Sequence, residues 1–394
     1  MTHKRAETGD QQGTSRRTFL QSYAVGGFVS GMHRPWSVQE TKPTANDCKY
    51  LDRVRTETFQ GSGAQIRDRP PLRGTCIEAL PDLSGELTIY LGGGEGGIYM
   101  NLMNLFEDIY PEFTARIRLA PSPQLANTII EETRGGASPA DVFWAVDAGS
   151  LDVVANADAT STLPKEVVNT VPKTFHPNNQ WVGIAGRARS IPYNTERFSE
   201  ADIPTDIFAF PRAERFTGVM GWAPTYEAFQ AFVTAMRVLN GEQKTKQWLR
   251  GMLDQEPTEY PDEFLVSNAV ADGEIDAGFA NHYYALRVKA ARPKAPIELA
   301  FTKNDAGALI NVAGAEVIRG TRKKALAVAF IRHLLSVEAQ EYFTTRAFDY
   351  PMIPGVPPVG GLPRINELNP PNIDLMKLSD LQPTLALMRE VGVL

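Results

Sequence analysis

From Leu83 onward, short β-rich runs alternate with helical ones, stop, and begin again near Phe216. This order constrains the fold more than any other feature, because strands that alternate with helices imply a parallel sheet covered on both faces. In the first series Leu87 to Leu91 predicts a strand, Gly92-Gly93-Gly94-Glu95-Gly96-Gly97 a turn and Ile98 to Phe106 a helix. Strands at Ala115 to Leu119 and Ala140 to Val146 follow, with a helix over Gln124 to Thr133 between them. The second series predicts a strand at Phe216 to Trp222, helices over Tyr226 to Leu239, Thr245 to Leu253 and Glu263 to Ala271, and a strand within Gly273 to Phe279. Two longer apolar, β-rich runs, Trp181 to Tyr193 and Ala308 to Ile318, lie where the chain passes between the series. Two passages make a discontinuous pair of α/β lobes joined by two crossings. Lys323 to Leu335 adds an amphipathic helix, and the Pro/Gly-rich stretch Pro351 to Pro371 predicts surface wrapping.

The length suits this reading, since 394 residues with 43% hydrophobic and 22% charged side chains make a folded chain of about two domains. A net charge of −6 leaves no basic footprint for nucleic acid. The charge is uneven: the first 35 residues carry +3 and the remainder −9. Within that basic start, Ser15-Arg16-Arg17-Thr18-Phe19-Leu20-Gln21 resembles a twin-arginine export signal, with Gln where Lys is usual. The run Phe19 to Met32 is too short and too rich in Gly and Ser to cross a bilayer as a helix of ~20 residues. Residues 1–38 are therefore assigned to a signal segment and 39–82 to a linker laid against the core. Cys48 and Cys76 are the only cysteines. Paired, they would close a loop of about 28 residues, worth ~3 kcal/mol, and both the paired and the free state are open to them.

Catalytic signatures are missing. No G-x-S-x-G elbow occurs, the five histidines have no ligand spacing, and Asp272 with Glu274 reads as a pair of solvated turn carboxylates. The glycine-rich turn does not match G-x-G-x-x-G, and Glu95 would repel a pyrophosphate. The adjacent tyrosine pair Tyr283-Tyr284 carries no information as a dipeptide, because 12 tyrosines in 394 residues often produce one by chance, but its place is informative. It follows a predicted strand and opens a helix, where ligands bind in open α/β sheets. A strand-to-helix turn aims both phenols at one point, whereas a strand would send them to opposite faces.

That pair sits in Gly273-Glu274-Ile275-Asp276-Ala277-Gly278-Phe279-Ala280-Asn281-His282-Tyr283-Tyr284-Ala285-Leu286-Arg287. Together with Ser138 to Phe143, Ala185 to Arg189 leading to Tyr193-Asn194-Thr195, and Ala306 to Leu309, this block resembles the ferric-iron-binding periplasmic proteins, the substrate-binding components of iron(III) ABC transporters. The resemblance runs in order from about Leu87 to Pro351. It implies a two-domain periplasmic-binding-protein (type II) fold with two hinge crossings and an interdomain cleft. It also implies Fe³⁺ ligation by Tyr283 and Tyr284, with Tyr226, after the Pro224-Thr225 turn, as the third phenolate. Other members use a histidine in the first glycine-rich turn and a glutamate after the third strand; here those places hold Gly94 and Val146, with Glu95 and Asp147 one position away. Glu95 is kept as an extra ligand candidate, while Asp147 is the poorer one because a one-residue shift on a strand reverses the side chain. Tyr193 stays outside the ligand set.

A three-tyrosine site needs an anion such as carbonate, or water, to complete the coordination, and Arg187, Arg189 and Asn281 are expected around it. The chemistry agrees, since a small, hard trivalent cation favours anionic oxygen and drives the proton from a phenol that is neutral at pH 7. The expected lobes are 83–188 plus 311–360 and 189–310 plus 361–394. The expected function is a monomeric, non-enzymatic, exported receptor in the periplasm or on the outer face of the membrane, delivering Fe³⁺ to an ABC permease and its ATPase. Two alternatives are weighed beside it. One keeps the fold but binds a small organic solute or oxyanion between Trp222, Tyr226 and Tyr283, with Arg187 as clamp. The other is an extracytoplasmic enzyme of unrecognised chemistry.

Overall fold

One strand, Trp181–Asn194, takes part in both halves of the sheet. A computed structural model of the chain describes residues 58–67, 69–93 and 97–394, all within the unit Lys42–Leu394. The first half of the sheet contains β1 (Gly85–Leu91), β2 (Phe113–Leu119), β3 (Val142–Ala145) and the short β4 (Thr160–Ser161). The shared strand is β5, and β6 (Met220–Trp222), β7 (Thr258–Glu259), β8 (Ala277–Gly278), β9 (Ala280–Asn281) and β10 (Ile297–Ala300) follow. β11 (Ile310–Ile318) and β12 (Tyr350–Pro351) complete the sheet, whose main path runs β2-β1-β3-β11-β5-β8-β6-β7.

β1 pairs in parallel with β2 and β3, and β6 with β7 and β8. The expectation of a parallel sheet fails at the centre, where β11 runs antiparallel to both β3 and β5. The cause is the crossing itself. A chain that leaves one half along β5 and returns along β11 traverses the boundary in opposite directions. Along β5, Trp181 to Ala188 pair with β11, Arg189 and Ser190 with β9, and Ile191 to Asn194 with β10.

The helices follow their apolar spacing. α1 (Ile98–Ile109) buries Tyr99, Leu102, Met103 and Phe106 on one stripe. α2 (Ser122–Arg134) and α3 (Ala148–Asn156) come next, the latter capped by Asp147, whose Oδ1 accepts from the Ser150 N–H at 2.7 Å. In the second half, α4 (Glu227–Asn240) buries Phe229, Phe232, Val233 and Met236, and α5 (Glu242–Leu253) buries Trp248. α6 (Glu263–Asp272) starts at the Asp262 cap and stops at Gly273, whose φ of 72° closes the helix at no steric cost. α7 is His282–Ala291, α8 Lys324–Leu334, α9 Val337–Tyr342 and α10 Leu381–Val391. The strand predicted from Phe216 begins only at Met220, because Gly218 turns the chain at φ 72°.

The segment preceding β1 is part of the core where it is described. Phe59, Cys76, Ile77 and Leu83 are buried, and the Arg69 guanidinium pairs with Glu341 at 2.6 Å. Cys76 is disulfide-bonded; Cys48, the one other cysteine in the sequence, lies outside the described residues, as do Arg16 and Arg17. The stretch expected to wrap the surface also goes inward, since Tyr350 and Pro351 pair with β5 and Met352, Ile353, Val356 and Val359 are buried. Among the described residues no helix is long and apolar enough to cross a membrane.

Candidate functional site

Tyr226 is the last residue before α4, while Tyr283 and Tyr284 lie in the first turn of α7. The turn at Pro224-Thr225 aims Tyr226 across the gap, with its N–H bonded to Ala223 O at 3.0 Å. The Tyr226 and Tyr284 hydroxyls are hydrogen-bonded to each other. The Tyr283 and Tyr284 rings lie 4.3 Å apart, and the Tyr283 hydroxyl accepts from Asn281 Nδ2 at 3.4 Å. Burial, then the neighbouring phenols Tyr283 and Tyr226, push the Tyr284 phenol well above its ordinary range. The Arg287 guanidinium lies 4.7 Å from the centre of the Tyr283 ring and 5.5 Å from that of Tyr284, within cation–π range of both.

These tyrosines face a cavity of about 960 Å³ that is also lined by Arg187, Arg189 and Asn281. The structure thus brings together six of the seven residues singled out in the sequence. Glu95, the seventh, lies outside the described residues, as does Gly94. The opposite wall comes from the first half of the sheet, through Gly92, Val146 and the N-terminal end of α3. Gly92 must be glycine, since a Cβ there would stand 2.0 Å from Ser122 Oγ. Asp147 reaches the cavity, but its carboxylate is engaged by the backbone and hydroxyl of Ser150 at 2.7 and 2.9 Å.

The two arginines differ. Arg189 is 4% exposed and ion-paired with the fully buried Glu263, whereas Arg187 is only half-buried on β5. Glu263 was invisible to sequence reasoning, where Asp262-Glu263 reads as the acidic start of a helix. Its partner lies 74 residues away, and no local spacing signals such a pair. Tyr193 belongs to the sheet, opposite Ala277 and Glu298, and burial raises its phenol pKa. Trp222, expected as a stacking wall for an organic solute, is fully buried against Phe229 and does not line the cavity.

Among the described residues, no group of three or more His, Cys, Asp or Glu side chains is placed to hold a metal. The donors that converge here are phenol oxygens. They suit a hard, highly charged cation far better than zinc or copper, which favour imidazole and thiolate.

Residues 104–364 match the family described as bacterial extracellular solute-binding protein. The major ferric iron-binding protein of Neisseria meningitidis is 30% identical over 334 residues, covering 82% of this chain and 98% of that protein. The Fe(3+)-binding periplasmic protein of Serratia marcescens is 30% identical over 283 residues, 71% of this chain and 82% of that one. The crystal structure of iron-bound HitA from Pseudomonas aeruginosa has a TM-score of 0.68 and 29% identity, covering 78% of this chain and 99% of that chain.

Proposed function

The chain belongs to the bacterial extracellular solute-binding proteins, and within them to the ferric iron-binding periplasmic group, and we propose that its solute is Fe³⁺, held by the phenolates of Tyr226, Tyr283 and Tyr284. The observation that carries this reading is the meeting of three phenols from two separate helix starts in one cavity. Three phenolates neutralise a trivalent cation. They become phenolates because the metal displaces their protons, as metals do with water and thiols.

A six-coordinate ion has donor positions left, and a small anion such as carbonate fills them, with Arg187 supplying countercharge. Glu95 is a further ligand candidate. Closure of the lobes, taken as 83–188 plus 311–360 and 189–310 plus 361–394, bends the β5 and β11 crossings and encloses the ion. The protein then acts as a monomeric, non-enzymatic receptor that hands iron to an ABC permease and its ATPase. Export by the twin-arginine route places it outside the cytoplasmic membrane. The organic-solute alternative has less support, because Trp222 is sealed in the core.

Adding Fe³⁺ with carbonate to the purified protein tests the proposal. A visible phenolate-to-iron charge-transfer band is expected, abolished or strongly shifted by Tyr283→Phe and by Tyr284→Phe. No band, together with calorimetric binding of a sugar, amino acid or polyamine, would overturn it.

A further inference from the structure

Where the two crossings touch, the Arg189 N–H bonds to Leu309 O at 2.8 Å. The Arg189 side chain reaches three elements from that point. Its Nη1 is ion-paired with Glu263 Oε1 on α6 and donates to Asn281 Oδ1 at 3.3 Å. Its guanidinium carbon lies 5.3 Å from the centre of the Phe232 ring on α4. Glu263 divides its carboxylate, with Oε2 accepting from the Asn281 N–H at 2.8 Å. Asn281 directly precedes α7, which carries Tyr283 and Tyr284, and Tyr226 directly precedes α4.

We propose that Glu263 is the positioning residue of the tyrosine site: it ties the hinge strand to the Asn281 turn and holds the Arg189 guanidinium at the hinge instead of on the anion. The role towards iron rests on the function proposed above. Both partners are nine-tenths or more buried, so an unpaired member would be costly and the pair holds as a unit. Arg189 is thus held at the hinge even though it borders the cavity.

Paired substitutions avoid leaving a buried charge. Arg189→Gln with Glu263→Gln keeps an acceptor for the Asn281 N–H, whereas Arg189→Leu with Glu263→Leu removes it. The Leu pair is expected to weaken iron binding by about tenfold or more and shift the charge-transfer band, with the Gln pair within about threefold of the parent protein. The carbonate concentration for half-maximal iron loading should rise about fivefold or more in Arg187→Gln and change less than about twofold in the Gln pair. Deuterium uptake in the iron-free protein gives an independent arm: the Asn281 amide should exchange about tenfold faster in the Leu pair and at the parent rate in the Gln pair. Parent-like iron affinity in the Leu pair, or a carbonate shift in the Gln pair as large as that of Arg187→Gln, would overturn the assignment. Absence of any band in the parent protein, with the Asn281 exchange as stated, would remove the iron reading and leave the tie standing.

Discussion

The hydroxyls of Tyr226 and Tyr284 are hydrogen-bonded to each other although 58 residues separate them in the chain. Two hydrogen-bonded phenols are already aimed at one point, so a cation entering between them meets oriented donors rather than having to order them. The contact closes a cluster in which Tyr284 is 7% exposed and Tyr283 2%.

Under the proposed ligation, replacing one phenol removes one of three anionic donors to a trivalent ion. Tyr226→Phe and Tyr284→Phe should each weaken iron by more than the ~10–100-fold usual for a residue that only supports a ligand. Competition against citrate measures this. Tyr193→Phe, in the sheet, should change affinity by less than about threefold.

Iron binding should release protons. The Tyr284 phenol is held protonated by burial and by its two phenol neighbours, so the metal must displace its proton, and affinity rises with pH. With three phenols converted, about three protons should leave per iron, after subtraction of those released by the iron source alone. A pH-stat titration giving one proton or fewer would contradict three-tyrosine ligation.

The first half of the sheet carries a separate pH signature. Glu316 on β11 is fully buried, and its carboxyl is pushed well above the usual range by burial and then by Asp152. Asp152 on α3 is raised to about 6 by burial and then by the charge of Asp374, opposed by its bond to Asn156. A raised carboxyl binds more protons in the folded state than in the unfolded one, so stability falls as pH rises from about 4 through about 6. Asp152→Asn should flatten that fall, with a gain in Tm of a few degrees at pH 7, on the order of 2–4 °C per kcal/mol, that shrinks towards pH 4. Thermal melts across pH decide it, and a gain that grows on acidification would refute the sign.

The proposed twin-arginine route rests on Arg16 and Arg17, outside the described residues. Arg16→Lys with Arg17→Lys should leave the protein in the cytoplasm by cell fractionation. Unchanged export of the double variant would exclude the twin-arginine route.

Much of the architecture is local and therefore legible. β1, α2, α4, α6 and α8 lie within a few residues of where periodicity puts them, and the long runs at Trp181 and Ala308 are the strands β5 and β11 that link the halves. α3, α9 and α10 went unpredicted. So did the inward course of the stretch after Tyr350, whose Pro and Gly residues suggest a surface path although Met352 and Val356 are buried. A strand pairing such as that of Tyr350 with Gly186 is set by a partner far away in the chain.

The sequence by itself determined most of the longer helices and strands, that two α/β halves are joined twice, and that Tyr283 and Tyr284 stand together at a strand-to-helix turn. These follow from periodicity, glycine positions and neighbours along the chain. Only the tertiary structure decided that β11 opposes β3, that Trp222 is sealed in the core while Tyr226 faces the cavity, and that Arg189 is held by Glu263. Burial and charge pairing depend on which distant side chain occupies the adjacent space. Two arginines separated by one residue on β5 therefore look alike in the sequence and acquire different surroundings only when α6 packs against one of them.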